Sequence, residues 1–255
     1  ERVYIGIDIG STCAKTVVLD GERNILLRLL QPTGWSSVDT AEDIRARLSG
    51  EGFPVEEAAV VATGYGRVSV PYADRCVTEI TCHGRGACRI YGTPDLTVID
   101  IGGQDTKIIR IQDGAVSDFL MNDKCSAGTG RFLEIMANTL AVRPEELCGM
   151  AAHGGGTSIS SMCTVFAESE VISLIGRGEK RENIAFAVVD SIVKKVASQA
   201  GRMSADQETV CLTGGLAKLR QSLSAALGRP VRTEADGRYA GAVGAALCAF
   251  SIRKA

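Results

Sequence analysis

Two stretches carry one pattern: Tyr4-Ile5-Gly6-Ile7-Asp8-Ile9-Gly10-Ser11-Thr12 and Leu96-Thr97-Val98-Ile99-Asp100-Ile101-Gly102-Gly103-Gln104. Each is an apolar run with strand character that reaches an aspartate and then a glycine turn. A second apolar run returns behind each turn, at 14–20 and 106–111. Each stretch therefore predicts a β-hairpin. Two such units in one chain imply two related α/β lobes facing a shared cleft.

The rest of the chain fits around these hairpins. Residues 25–30 offer a third strand and 58–63 a buried one, ending in Gly64-Tyr65-Gly66. Residues 38–48 have amphipathic helical spacing, with Asp39 or Thr40 as a cap. Residues 78–90 read as a helix. Asp113-Gly114 signals a tight turn into a strand at 116–121. Helices are expected at 126–140, 164–175, 182–203, 216–227 and 238–251, with Pro144 in the first turn of another. A strand at 208–213 lies among them. The expected division is 1–93 plus 236–255 for the first lobe and 94–235 for the second.

Composition bounds the function. The 255 residues are 45% hydrophobic and 23% charged, with a net charge of −2, which fits a globular protein and argues against a nucleic-acid or membrane surface. No apolar run reaches the roughly 18 residues of a membrane span. The opening Val3–Asp8 run carries an acid and reads as a strand rather than a signal peptide. Nine cysteines without a CxxC pair argue against a disulfide framework and for a reducing cytoplasm, as in an anaerobe. Cys13, Cys148, Cys211 and Cys248 read as small buried hydrophobes, and Cys76, Cys82 and Cys88 as packing residues. His83 and His153 form no metal-ligand spacing. Trp35 fits loop packing better than a partner anchor.

The glycine turns suit phosphate. Consecutive backbone N–H groups reach an anion only where no Cβ intervenes. Asp8 and Asp100, at the strand ends, are placed to hold Mg²⁺ through water, with Asp105 to assist. Lys15 is placed to reach a phosphate. A third element, Val210-Cys211-Leu212-Thr213-Gly214-Gly215-Leu216-Ala217-Lys218, reads as strand, Gly-Gly and helix start, which suits a purine or a phosphate.

These motifs together resemble the actin, Hsp70 and sugar-kinase superfamily. The hairpins are similar to its phosphate-1 and phosphate-2 motifs, and the segment through Gly215 to its adenosine motif. Ala240-Gly241-Ala242-Val243-Gly244-Ala245-Ala246 resembles its small-residue connecting helix. The resemblance implies a two-lobed actin-like ATPase fold with duplicated ribonuclease-H-like lobes and ATP/ADP in the cleft. Gly10, Ser11, Thr12, Gly102, Gly103 and Gln104 would cradle phosphates, and Gly214, Gly215 and Lys218 would border the adenosine. Glu79, 21 residues before Asp100, would position the attacking water.

A narrower resemblance rests on four further segments. They are Asn122-Asp123-Lys124-Cys125-Ser126-Ala127-Gly128-Thr129-Gly130-Arg131, Ser161-Met162-Cys163-Thr164-Val165-Phe166-Ala167-Glu168, Ala62-Thr63-Gly64-Tyr65-Gly66-Arg67 and Asp100-Ile101-Gly102-Gly103-Gln104-Asp105. They resemble the BadF/BadG/BcrA/BcrD ATPase family, which includes activators of 2-hydroxyacyl-CoA dehydratases and reductases of double-cubane-cluster proteins. The resemblance implies a homodimer with one [4Fe–4S] cluster held by Cys125 and Cys163 of each subunit. Each cysteine is expected just before a helix, whose dipole favours a thiolate. Gly128 and Gly130 would allow close approach to either cluster or nucleotide. The implied function is ATP-dependent electron donation. Ferredoxin or flavodoxin would be the donor. The acceptor would be a dehydratase, a benzoyl-CoA-type reductase or a double-cubane-cluster protein. The alternative is a small-molecule kinase on the same fold without redox activity.

Overall fold

The computed structural model describes residues 2–203 and 209–252. The chain splits into two compact units. The first comprises Glu1–Leu96, Ile109–Ser117 and Glu234–Ala255; the second comprises Thr97–Ile108 and Asp118–Thr233. The segment Ile109–Ser117 thus packs with the first unit, although the expected division put it in the second.

In the first unit, β1 (Tyr4–Ile9), β2 (Cys13–Leu19) and β3 (Ile25–Pro32) form an antiparallel meander. Helix α1 (Ser37–Gly50) leads to β4 (Ala59–Thr63), which pairs parallel with β1, and then to β5 (Arg75–Cys76) at the edge. Sheet order is β3-β2-β1-β4-β5. Strand alternation divides the faces. Ile5, Ile7 and Ile9 enter one core with Ile44 and Leu48 of α1. Gly6 and Asp8 therefore face the other side, where α2 (Glu79–Tyr91) and α8 (Ala240–Ala249) lie.

Glycine permits this second layer. A Cβ on Gly6 would sit 1.9 Å from the Ala242 carbonyl oxygen of α8, one on Gly86 would sit 1.8 Å from that of Ala240, and one on Gly244 would sit 1.6 Å from that of Cys82. Gly244→Ala is accordingly expected to destabilise the protein by about 3 kcal/mol, because rigid backbone, not a side-chain tip, must yield. Gly149→Ala, exposed within a helix and with nothing within 4 Å of its added Cβ, serves as the control in urea unfolding and should instead stabilise by up to about 1 kcal/mol. One turn beyond Gly244, buried Cys248 shares a hydrogen bond with buried Cys82; Arg85 also holds the Cys248 thiol down.

A second sheet, ordered β10-β9-β6-β7-β8, is formed by β6 (Leu96–Ile101), β7 (Thr106–Gln112), β8 (Ala115–Asn122), β9 (Thr209–Gly214) and β10 (Val231–Arg232). Read from the other edge, this is the strand order of the first sheet. Each consists of a hairpin pair, a third meander strand, and two later strands added beside the first. Ile99 and Ile101 enter a core with α3 (Gly130–Thr139), α4 (Pro144–Ala151), α5 (Thr164–Gly176), α6 (Arg181–Gly201) and α7 (Arg220–Leu227), through Phe132, Leu133, Leu147, Val171, Val188 and Leu223. No helix among the described residues is long and apolar enough to cross a membrane.

Several expectations change. The cap of α1 is Ser36, whose hydroxyl accepts from the Asp39 amide. Cys76 is exposed in β5, so it is not a packing residue. Trp35 is fully exposed, so it does not pack its loop. The edge strands β5 and β10 have only two residues each, too short for a period to register. Glu208, which opens the expected strand 208–213, lies outside the described residues.

Candidate functional site

In the first unit, the β1–β2 turn is closed by the Gly10 amide donating to the Cys13 carbonyl at 3.0 Å. Thr33 braces it from β3's end, with its hydroxyl on the Gly10 carbonyl at 2.7 Å and its amide on the Thr12 carbonyl at 2.9 Å. Ser11 and Thr12 form the exposed tip. Asp8 pairs in register with Lys15 across the hairpin and with Thr63 on β4. Its carboxylate is closely housed: an added Cβ would come within 2.5 Å of it from Gly64 and 2.4 Å from Gly241. Glu79 opens α2. One turn further on, the hydrogen bond to Cys248 and then burial raise the Cys82 thiol, with a smaller push from the Asp8 charge.

In the second unit, Asp100 occupies the matching place on β6 and is buried. Thr213 of β9 donates to its Oδ1 at 3.1 Å. The Lys107 ammonium stands 3.8 Å from Oδ2 of Asp100 and 2.8 Å from Oδ2 of Asp105. Asp105 is thus engaged by a lysine, and its carbonyl accepts from the Gly102 amide at 2.8 Å. Gly214, Gly215 and Lys218 follow β9, with Lys218 exposed in a short 3-10 turn.

Sequence reasoning picked out Lys15 but missed Lys107. The signal was present, because the repeat runs Asp-Ile-Gly, four residues, then Lys in both copies: Asp8 to Lys15 and Asp100 to Lys107. Taken by itself, Lys107 reads as an ordinary polar residue within a strand; its role emerges only when the two copies are aligned.

The cysteine segments meet in the second unit. Ser126 follows Cys125, Thr164 follows Cys163, and the two hydroxyls are hydrogen-bonded at 2.7 Å. Both thiols are exposed. Cys163 is the N-cap residue of α5, as expected. Cys125 is not at a helix start: residues 126–129 form a turn, and α3 begins only at Gly130. Helix propensity misled here, because the Thr129 hydroxyl bonds back to the Ser126 carbonyl at 2.5 Å and offers the chain a turn instead. Asn122 secures the loop through donations to the Cys125 and Ala127 carbonyls at 3.0 and 3.2 Å.

On the Cys163 side, Glu170 accepts from the Ser160 and Ser161 amides at 3.0 and 2.8 Å, and both serine hydroxyls also donate to it. These bonds hold its carboxyl below the usual range, so the clamp is present at neutral pH and is lost only as pH falls through that lowered value.

The Cys125 loop is bonded to the glycine turn that follows β6. The Gly130 and Arg131 amides donate to the Gly102 and Gly103 carbonyls at 2.9 and 2.6 Å, and Thr106 donates to the Gly128 carbonyl at 2.6 Å. Gly130 therefore serves the glycine turn. Among the described residues, no three His, Cys, Asp or Glu side chains gather as a metal site. The chain itself supplies two exposed thiols on segments joined by the Ser126–Thr164 bond.

Comparison with known proteins identifies the family. The chain is 40% identical to the (R)-2-hydroxyglutaryl-CoA dehydratase activating ATPase of Acidaminococcus fermentans, over 96% of each chain. The crystal structure of component A of that organism's dehydratase superposes with a TM-score of 0.91 at 39% identity, covering 98% of each chain. The activator of the 2-hydroxyisocaproyl-CoA dehydratase from Clostridium difficile, solved with bound ADPNP, gives 0.88 at 36% identity, covering 97% of this chain and 94% of that one. The α/β fold of actin-like ATPases that the motifs' resemblance implied is thus the fold of the protein. With residues 5–249 matching the family pattern as well, the duplicated hairpins and the joined cysteine loops are those of a member of the BadF/BadG/BcrA/BcrD ATPase family.

Proposed function

We propose that this protein is an ATP-driven electron donor, an activator that passes single electrons to an iron–sulfur enzyme. Relatives whose names join ATPase and dehydratase activator support the reading. The observation that carries it is the Ser126–Thr164 bond, which joins the two cysteine segments while both thiols face outward.

The roles follow the matched positions. Gly10, Ser11, Thr12 and Lys15 take phosphates, as do Gly102, Gly103 and Gln104. Asp8 and Asp100 hold Mg²⁺ through water, with Asp105 assisting from its place on Lys107. Glu79 orients the attacking water. Gly214, Gly215 and Lys218 border the adenosine.

Cys125 and Cys163 suit a [4Fe–4S] cluster by donor type, by exposure and by the hydrogen bond that joins their segments, and such a cluster takes about four thiolates, so a second copy completes the set. When bound, it supplies a low-potential one-electron store. Exposed Phe119, Met121, Met162, Val165, Phe166 and Ile172, all in the second unit, provide apolar surface for self-association. The backbone bonds from Gly130 and Arg131 to Gly102 and Gly103 make the Cys125 loop follow the phosphate turn. Ferredoxin or flavodoxin is the donor. A 2-hydroxyacyl-CoA dehydratase, a benzoyl-CoA-type reductase or a double-cubane-cluster protein is the acceptor, in a reducing cytoplasm.

Purification without oxygen is expected to yield a brown dimer with about four irons and four sulfides. A colourless, iron-free protein that transfers phosphate from ATP to a small molecule would instead establish the kinase alternative.

A further inference from the structure

We infer that Lys195 is a positioning residue for charge at the iron–sulfur centre: its ammonium, held against Cys125, raises the centre's reduction potential. This rests on the reading of Cys125 as a cluster ligand.

The two cysteines differ in surroundings. Cys163 has the positive end of α5 behind it. Cys125 stands five residues before α3 and has no helix start of its own. A lysine takes that place, with Lys195 Nζ on α6 donating to Cys125 Sγ at 3.9 Å. The lysine stem runs over Gly128, where a Cβ would come 3.2 Å from Cδ and where φ is +80°. Glycine at 128 thus makes room for Lys195, while Gly130 meets the phosphate turn. Ile192 and Val196, buried on either side along α6, anchor the lysine's backbone in the core.

The charge is also left available. Neighbouring Lys194 is paired with Asp190 at 2.7 Å, one helical turn away. Among the described residues, no carboxylate pairs with Lys195. Reduction adds one negative charge to the centre. A cation beside a ligand sulfur stabilises that reduced state more than the oxidised one, and an N–H···S contact acts in the same direction. Lys195 thereby eases filling of the centre by a soluble donor.

The test is a potentiometric titration of the anaerobic dimer, read by visible absorbance and electron paramagnetic resonance, with iron measured on each sample. Lys195→Gln is expected to disfavour reduction about tenfold, a shift of about 59 mV to more negative potential, with iron unchanged. Lys195→Arg should stay within about twofold of the wild type, because it keeps the charge. A Lys195→Gln dimer with full iron and a potential within about twofold of the wild type overturns the inference. Should Lys195→Gln fail to retain iron, Ser191→Glu decides. It keeps the lysine and offers it a carboxylate at the i,i+4 position, so reduction should again be disfavoured. No change there also overturns the inference. Absence of iron from the wild type is a separate result, which strikes the ligand assignment itself.

Discussion

Cys163→Ser is expected to give a folded, colourless protein with background iron and with ATP affinity within about twofold of the original. Loss of iron follows because a serine hydroxyl does not replace a thiolate on iron. Survival of the fold follows from the residue's place. Cys163 is the N-cap of α5, and serine is among the best N-cap residues, with a side-chain oxygen able to satisfy an amide of the first turn. The substitution therefore removes a ligand while supporting the helix by up to about 1 kcal/mol. Cys125→Ser should match it in iron loss. Near-normal iron in either variant, measured without oxygen, would contradict the assignment of two thiols per chain. Circular dichroism and nucleotide binding on the same samples separate ligand loss from misfolding.

Asp100→Asn is expected to lower ATP hydrolysis at least about 100-fold, the scale on which loss of one group holding charge in a phosphoryl-transfer site is felt. The substitution changes charge and little else. Thr213 can still donate to Oδ1, and Lys107 keeps its 2.8 Å ion pair with Asp105, so no bare cation is left buried. Asp8→Asn should behave alike. Its carboxylate lies against Gly64 and Gly241, so only an isosteric side chain fits without moving backbone. Retention of hydrolysis within about tenfold in either variant would remove that aspartate from the Mg²⁺ site. Stability should change little in both, which unfolding curves will check.

Much of this architecture was legible because it is written in strand periodicity. In β1, Ile5, Ile7 and Ile9 alternate with Gly6 and Asp8, so the face that meets α1 and the face that carries the aspartate are separated by the pleat itself. The same holds for Ile99 and Ile101 against Asp100 in β6. The Asp113-Gly114 turn also followed local rules: both residues have positive φ, as its hairpin type demands. Where local signals misled, a competing contact decided. The Ser126–Thr129 turn displaced the expected helix start. The meaning of Lys107 depended on a partner seven residues earlier along a hairpin. Trp35 read as packing because large aromatics are usually buried, whereas its loop leaves it in solvent.

The amino-acid order alone determined the duplication, the aspartate–glycine turns and the family, since these depend on residues close along the chain whose spacing is set by strand and turn geometry. Only the folded chain decided that Cys125 and Cys163, 38 residues apart, have neighbours joined by a hydroxyl pair, and that a lysine a further 32 residues on faces one of the two thiols. Such meetings depend on how helices α5 and α6 pack over the second sheet. Packing is settled by the summed burial of many distant side chains, which leaves no periodic trace at the residues it brings together.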